Sequence, residues 1–177
     1  MKAYLAVIAA LVAVVTPAAA QDKFTNGPVI KNFGAVAKVD TDLPLPPGMD
    51  YKILFDVKTA TPGERSTGID AAARTMNMLA ASGVPVSKIH PAIVIHSKGL
   101  WDVTTDARYR KEAGGPNPNI ELVRELVAQG VPIYVCGQTL ARYDVDKSEL
   151  LPGVKVALSA INAHAILQRQ GYTLNPF

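Results

Sequence analysis

The chain has 177 residues, of which 18 are Lys or Arg and 15 are Asp or Glu, so its formal net charge is only +3. It contains no basic run and no basic segment interleaved with aromatic side chains, which argues against nucleic acid as a partner. The length suits one ordinary domain with a substantial core.

The first twenty residues have the pattern of an export signal. Lys2 is followed by an uncharged apolar run, residues 3–15, and then by the segment TPAAA, which contains a proline and an Ala-x-Ala cleavage site. The run is shorter than the ~20 residues that a membrane-spanning helix needs. We therefore expect cleavage before Gln21, a periplasmic or secreted protein, and no membrane insertion after cleavage.

Residues 21–49 form a proline-rich segment that differs from the rest of the chain. The stretch LPLPPG, residues 43–48, cannot form a helix or a central strand. Upstream of it, PVIKNFGAVAKV is compatible with an extended arm or an edge hairpin. Such an arm packs on its own domain or on a neighbouring subunit, and the sequence leaves both open.

From Tyr51 the pattern alternates between apolar strands and amphipathic helices. The predicted strands are YKILFDV (51–57), PAIVIH (91–96), VPIYVC (131–136), VKVAL (154–158) and a short YTL (172–174). The predicted helices are IDAAARTMNMLAASG (69–83), PNPNIELVRELVAQG (116–130) with Asn119 as N-cap, and AINAHAILQRQG (160–171). Continuously apolar strands between helices indicate a sheet covered on both faces. We predict an α/β three-layer sandwich with a mainly parallel, flavodoxin-like sheet of about four to five strands.

Three candidate residues fall where predicted strands end. Ligands of open parallel sheets bind beyond the carboxyl ends of the strands, and Lys58, His96 and Cys136 follow or end the first three strands. In the flavodoxin-like order 2-1-3-4, strand one lies between the other two and keeps His96 and Cys136 about 9–10 Å apart. His164 falls in the middle of a predicted helix, where we expect it to pack or to face water.

Cys136 is the only cysteine, and its meaning depends on export. In an oxidising compartment an unpaired cysteine indicates an intermolecular disulfide or a reactive thiol, although cysteine is also common as a small buried core residue. Backbone amides of Gly137, Gln138 and Thr139, with Lys58 nearby, could face a thiolate or a bound anion and lower the thiol pKa. We take Cys136 and His96 as candidate catalytic residues and the other four as candidate substrate-binding residues.

Several familiar sites are missing from the sequence. The stretch TPGERSTG matches neither the G-x-G-x-x-G nor the Walker pattern, so nucleotide binding has no support. The chain also lacks a Cys-x-x-Cys, a His/Cys spacing suited to zinc, and a G-x-S-x-G elbow. We therefore expect no cofactor and no metal.

Two segments around these residues resemble the DsrE/DsrF-like family. YVCGQTL followed by ELLPGVKVALSAINAHAILQRQGY closely resembles its C-terminal half, and KILFDV and AIVIHSKG resemble its first two strands, so that the similarity covers residues 51–173. The resemblance implies a DsrE-like α/β domain over residues 50–177, assembly into trimers or hexamers, and a persulfide carried by Cys136. His96 corresponds loosely to the family histidine, because HSKGLW departs from the more usual H-G-x. The characterised sulfur relays are cytoplasmic, whereas we expect this chain to be exported.

Two functions of different classes follow. The first is an exported sulfur carrier or sulfurtransferase that holds sulfur as a persulfide on Cys136, with donor and acceptor proteins or small sulfane-sulfur compounds as partners. The second is a non-catalytic oligomeric binding module in which Cys136 is buried and structural. Alanine-rich helix faces, such as Ala71–Ala73 and Ala163, permit close contact with another subunit or with the chain's own sheet, so they do not decide between the two.

Overall fold

The computed structural model describes residues 23–175, so the predicted export signal and its cleavage site lie outside the described residues. A two-residue antiparallel ladder comes first, followed by five strands that form one parallel sheet. The strands are β1 (Phe24–Thr25), β2 (Val36–Ala37), β3 (Tyr51–Val57), β4 (Ile89–Ile95), β5 (Ile133–Cys136), β6 (Val154–Ala157) and β7 (Thr173–Asn175). The predicted α/β class with a parallel sheet is confirmed.

Five α-helices and three short 3₁₀ segments connect these strands. The α-helices are α1 (Thr67–Ala81), α2 (Asp106–Ala113), α3 (Ile120–Ala128), α4 (Gly137–Tyr143) and α5 (Ala160–Arg169). The 3₁₀ segments are Val86–Lys88, Ser97–Val103 and Lys147–Glu149. Within residues 23–175, none of these helices combines the length and the apolar character needed to cross a membrane.

The strand order differs from the flavodoxin-like order considered for the sequence. The sheet runs β6-β5-β4-β3-β7, so the strand that ends before His96 lies between the other two predicted site strands. The expected separation of His96 from Cys136 by an intervening strand is therefore wrong. The two residues follow neighbouring strands, whose axes are ~4.8 Å apart in a regular sheet.

Two apolar cores cover the two faces of the sheet. The larger core joins α1 and α3 to side chains such as Phe55, Ile93 and Ile133, all of them almost fully buried. The smaller core joins α5 to Leu54, Val94 and other alternate residues of the same strands. Helix α5 crosses this second face on its way from β6, at one edge of the sheet, to β7 at the other. The layers therefore place every second strand residue, including Asp56, on the α5 side.

The proline-rich arm is partly docked on its own domain. Asn77 of α1 is fully buried and its amide binds the backbone of the arm from Val29 to Gly34 through five hydrogen bonds of 2.8–3.0 Å. Gly34 lies so close to α1 that a Cβ atom there would be 2.4 Å from the backbone of Ala73. Residues 38–50, which include LPLPPG, remain exposed. Of the two packing modes left open by the sequence, residues 29–34 adopt the intramolecular one.

Asn119 begins α3 as predicted, but its side chain has another role. It makes no capping hydrogen bond; instead Oδ1 accepts from the Ser66 N–H at 2.7 Å and Nδ2 donates to Asp102 Oδ1 at 3.1 Å. These contacts join the starts of α1 and α3 to the 3₁₀ segment that follows β4. That segment thereby holds a fixed position at the carboxyl edge of the sheet, beside the candidate site.

Candidate functional site

Cys136 lies at the carboxyl edge of the sheet, as the last residue of β5 and the residue immediately before α4. It is a free cysteine with 6% of its surface exposed, and it belongs to neither apolar core. Burial in this protein therefore does not mean apolar surroundings for the thiol. Polar groups from two segments of the chain lie next to it.

Four hydrogen-bond donors face the sulfur of Cys136. They are the Thr139 hydroxyl and the backbone N–H groups of Ala160, Thr139 and Gln138, which act on the charge of the sulfur, whereas the Cys136 side chain makes no capping hydrogen bond to α4. Burial raises the pKa of the Cys136 thiol, but the donors together lower it by more, so this pKa lies below its ordinary value. The thiolate, which is the nucleophilic form, is favoured.

The donors come from the first turns of two helices that converge on the sulfur. Gln138 and Thr139 are in the first turn of α4, and Ala160 begins α5, so their N–H groups have no partner within the helix. Gly137 allows this convergence, because a Cβ at that position would be 2.9 Å from the carbonyl oxygen of Ala157 at the end of β6. The glycine after the cysteine therefore allows close packing of α4 on β6.

Thr139 connects the thiol to the segment that follows β4. Its Oγ1 accepts a hydrogen bond from the Ser97 N–H at 3.2 Å. Since that lone pair is engaged, the hydroxyl hydrogen is free to point towards Sγ. Ser97 has φ of 52°, a left-handed conformation that is uncommon for a residue other than glycine and that concentrates at functional sites.

His96 stands beside Cys136 in the sheet. The register pairs Ile95 with Val135, and one residue further along each strand brings His96 next to Cys136 on the same face. The backbone N–H of His96 donates to the carbonyl oxygen of Val57 at 3.0 Å, so His96 continues the hydrogen bonding between β4 and β3. Its side chain is 26% exposed. The two predicted catalytic residues are thus neighbours at one edge of the sheet.

The imidazole of His96 contacts a carboxylate that the sequence analysis did not select. Asp56 is the penultimate residue of β3 and lies on the same face, and its Oδ1 and Oδ2 are 3.2 and 3.3 Å from Nε2 of His96. On the other side of the ring, Nδ1 is 3.1 Å from Oγ of Ser97. The ring is therefore fixed at both nitrogens.

His164 belongs to the same cluster. It lies on the inner side of α5, with 20% of its side chain exposed, and its Nε2 is 3.0 Å from Asp56 Oδ1. The two atoms are buried and close, although their alignment is not that of a hydrogen bond. The expectation that His164 packs or faces water left out this polar contact.

The remaining predicted site residues lie around the cluster with less contact. Lys58 is exposed just beyond β3, and among residues 23–175 its ammonium group has neither a hydrogen bond nor an ion pair. The side chain of Gln138 is turned towards the carbonyl of Leu158, at 3.3 Å, while its backbone N–H faces the thiol. Their role in substrate binding stays a prediction. Across the described part of the chain, no three His, Cys, Asp or Glu side chains are grouped as metal ligands.

Removing the Thr139 hydroxyl is expected to raise the thiol pKa. In Thr139→Val the side chain keeps its shape but loses the donor to Sγ, so the thiolate fraction near neutral pH falls. We expect the midpoint of the alkylation rate by iodoacetamide, measured against pH, to move to higher pH. Thr139→Ser keeps the hydroxyl and should retain the wild-type midpoint. An unchanged midpoint in Thr139→Val would show that the backbone N–H groups alone set the thiol pKa.

Comparison with known proteins identifies the fold and the family. The model of the DsrE/DsrF-like family matches residues 52–176. No curated protein is significantly similar to the chain in sequence.

The solved structures that share the fold include two DsrE-like proteins. The protein of unknown function MTH1491 from Methanobacterium thermoautotrophicum is 20% identical, with a TM-score of 0.51 over 71% of this chain and 98% of its own. The ychN protein from E. coli is 17% identical, with a TM-score of 0.50 over 71% of this chain and 99% of its own. At these identities the likeness concerns the fold alone, whereas the family model spans most of the sequence. The chain belongs to the DsrE/DsrF-like family, which is linked in general to sulfur relay.

Proposed function

We propose that the protein is a sulfur carrier that holds sulfane sulfur as a persulfide on Cys136. The observation that supports this most strongly is the arrangement of four donors around a lone thiol whose pKa is lowered, at the carboxyl edge of a DsrE-like sheet. A carrier needs a thiolate that is stable while it holds no sulfur. The same thiolate must also be a good leaving group when the outer sulfur is passed on. Neutral donors around Sγ serve both needs, because they stabilise the same negative charge.

The transfer consists of two substitutions at sulfur. In the first, the Cys136 thiolate attacks the outer sulfur of a donor persulfide R–S–SH; a new S–S bond forms, the donor's S–S bond breaks, and R–S⁻ leaves with the electron pair. In the second, an acceptor thiolate attacks the outer sulfur of Cys136–S–SH and the Cys136 thiolate leaves. Each step exchanges one S–S bond for another, so no external oxidant or reductant is consumed.

One observation favours a different function. Cys136 exposes only 6% of its surface, which suits a structural cysteine in a non-catalytic binding module. The polar donors around it argue against that role, because an inert buried thiol gains nothing from them. The two functions differ in whether the native protein reacts with sulfur compounds at all.

A transfer assay tests the carrier function. Wild-type protein is incubated with inorganic polysulfide, freed of excess reagent, and mixed with a small-molecule thiol, and persulfide is measured on the protein and on the thiol. We expect one sulfur atom to load on Cys136 and then to appear on the acceptor thiol. A native protein that loads no sulfur, and reacts with polysulfide only after denaturation, would support the structural alternative.

We also propose that the carrier is exported and oligomeric. DsrE-like family members are generally oligomeric, and three apolar side chains stay exposed at or near α5: Leu158 (72%), Ile161 (82%) and Ile166 (57%). Ala72, Ala73 and Ala163 are buried against the chain's own sheet, so they are not available to another subunit. A second copy would cover the exposed residues, and light scattering at micromolar concentration should give the mass of a trimer or hexamer.

Export is tested separately, by N-terminal sequencing of the secreted or periplasmic protein. We expect its first residue to be Gln21.

A further inference from the structure

We infer that Asp56 is a positioning residue that holds His96 as the base for the incoming acceptor thiol, with His164 as a second imidazole on the same carboxylate. This inference rests on the carrier function proposed above and assigns the residues of its second step. The observation behind it is the juxtaposition of one carboxylate, two imidazoles and the thiol on a single face of the sheet.

The contacts of Asp56 determine which nitrogen of His96 carries the proton. An ionised carboxylate only accepts hydrogen bonds, and it faces Nε2 of His96 at 3.2–3.3 Å. The neutral imidazole therefore carries its hydrogen on Nε2 and keeps a lone pair on Nδ1. That lone pair faces Oγ of Ser97 at 3.1 Å, where the exposed serine hydroxyl donates to it. Because Ser97 is exposed, its hydroxyl is free to rotate away and leave Nδ1 to another donor.

His164 restricts the carboxylate from the opposite side. Its Nε2 is 3.0 Å from Oδ1 of Asp56, the oxygen that is also 3.2 Å from His96. The contact is one of proximity and charge, because the two atoms are not aligned as a hydrogen bond, and it leaves the tautomer of His164 open. Since His164 lies on α5, whose first N–H faces the thiol, this contact also ties the donor helix to β3. Asp56 is thus held in place by two independent elements.

The second transfer step requires a base at this position. The leaving group is the Cys136 thiolate, which the four donors stabilise and which needs no proton. The attacking acceptor, by contrast, arrives as a thiol and must lose its proton before it forms the new S–S bond. Nδ1 of His96, on the residue next to Cys136 in the sheet, accepts that proton, and the hydrogen bond to Asp56 stabilises the resulting imidazolium. The proton then returns to solvent from the half-buried ring.

The other ionisable side chains that the sheet places on this face are three lysines, two tyrosines and one histidine: Lys52, Lys58, His90, Tyr134, Lys155 and Tyr172. The tyrosines belong to the α5-side core. Lys52 and His90 lie towards the amino ends of the strands, with the Gln170 carbonyl and Asp50 as their partners, and the other two lysines are exposed at the margin. Asp56 is therefore the carboxylate that governs the imidazole pair.

The test separates loading from release. His96→Gln keeps an amide N–H that can donate to Asp56 but has no base, so loading from polysulfide should stay near the wild-type rate while release to a neutral thiol slows by about 100-fold. The deficit should shrink as the pH rises past the acceptor thiol's own pKa, because an acceptor thiolate needs no base. A folding defect would not depend on acceptor ionisation in this way.

The tautomer is measured directly by ¹⁵N NMR of the imidazole nitrogens, assigned with His96→Gln. We expect protonated Nε2 and unprotonated Nδ1 in the neutral ring of the wild type, and a shift towards the opposite tautomer in Asp56→Asn, whose amide can donate to Nε2. Release should slow in Asp56→Asn as well. Asp50→Asn is the matched control, because Asp50 contacts Nε2 of His90 at 3.2 Å at the far edge of the sheet.

The outcomes distinguish the two proposals. If the wild type loads and releases sulfur but His96→Gln and Asp56→Asn release it equally fast, the inference is wrong and the carrier function stands. A wild-type His96 ring with its proton on Nδ1 would also overturn the inference. If the wild type takes up no sulfur, the carrier function fails, and the base role of His96 fails with it.

Discussion

Replacing Cys136 by serine is expected to abolish persulfide formation and to lower the free energy of unfolding by only about 1 kcal/mol or less. Serine places an oxygen where the sulfur was, and the N–H groups of Ala160, Thr139 and Gln138 can donate to it. The added hydroxyl is thus buried with partners, which removes most of its cost. Thermal unfolding, combined with a persulfide-selective label after incubation with polysulfide, measures both quantities.

Cys136→Ala provides the matched control. Alanine fills less of the space and leaves the same donors without an acceptor, so it should destabilise the fold more than serine does. An apolar core position would give the reverse order, because there serine buries an unpaired hydroxyl at a cost of about 1–3 kcal/mol while alanine leaves no polar group. Finding alanine to be the milder substitution would contradict the polar surroundings described for the thiol.

Asn77→Ala is expected to cause the largest loss of stability, about 3 kcal/mol or more. The substitution removes five hydrogen bonds and leaves two N–H and two C=O groups of residues 29–34 without a partner, since the third carbonyl, that of Ile30, also accepts from the Gly27 N–H. Because Ile30 of the arm is almost fully buried, water cannot replace all of these bonds. Chemical denaturation of both proteins gives the difference, and hydrogen exchange of residues 29–34 should rise at the same time.

Met78→Ala serves as the control for this variant. It lies on the same helix, 47% of its side chain is exposed, and its loss should change stability by about 0.5 kcal/mol or less. The arm packs on α1, on the face opposite α5, so alkylation of Cys136 in folded Asn77→Ala should keep the wild-type rate. Equal stability of Asn77→Ala and the wild type would show that the arm is not anchored through this side chain.

The strands and the long helices were predictable because their patterns are local. YKILFDV forms β3 with the predicted bounds, and the apolar stripe of α1 is buried as its spacing indicates. Ser159 caps α5 through a hydrogen bond from the Asn162 N–H at 3.1 Å. Each of these features depends on residues within one or two turns, so a single segment contains the information.

The strand order was not predictable in the same way. The order of the strands depends on how the connecting helices pack across the whole sheet. The observed order and the flavodoxin-like order use equally apolar strands, so the strand sequences do not distinguish them. The observed order places His96 next to Cys136, which the flavodoxin-like order does not. The proximity of the two predicted catalytic residues is therefore a result of the three-dimensional fold.

Two parts of the site gave only weak sequence signals. Helix α4, which supplies two of the donors, has seven residues and follows the cysteine so closely that CGQTLARYD resembles a loop. Asp56 is a single acidic residue within an otherwise apolar strand segment, ILFDV, and that contrast is the signal that could have identified it. His164 has no comparable signal, because its partner lies 108 positions earlier in the chain and meets it only after α5 crosses the sheet.

Intact-protein mass spectrometry of the native protein, purified without reductant, tests the sulfur-carrier proposal most directly. The wild type should show a fraction with the mass of one or more added sulfur atoms, located on Cys136 by peptide mapping and removed by dithiothreitol. Cys136→Ser, purified in parallel, should show none. A wild-type mass that stays unmodified, even after incubation of the native protein with polysulfide, would contradict the account.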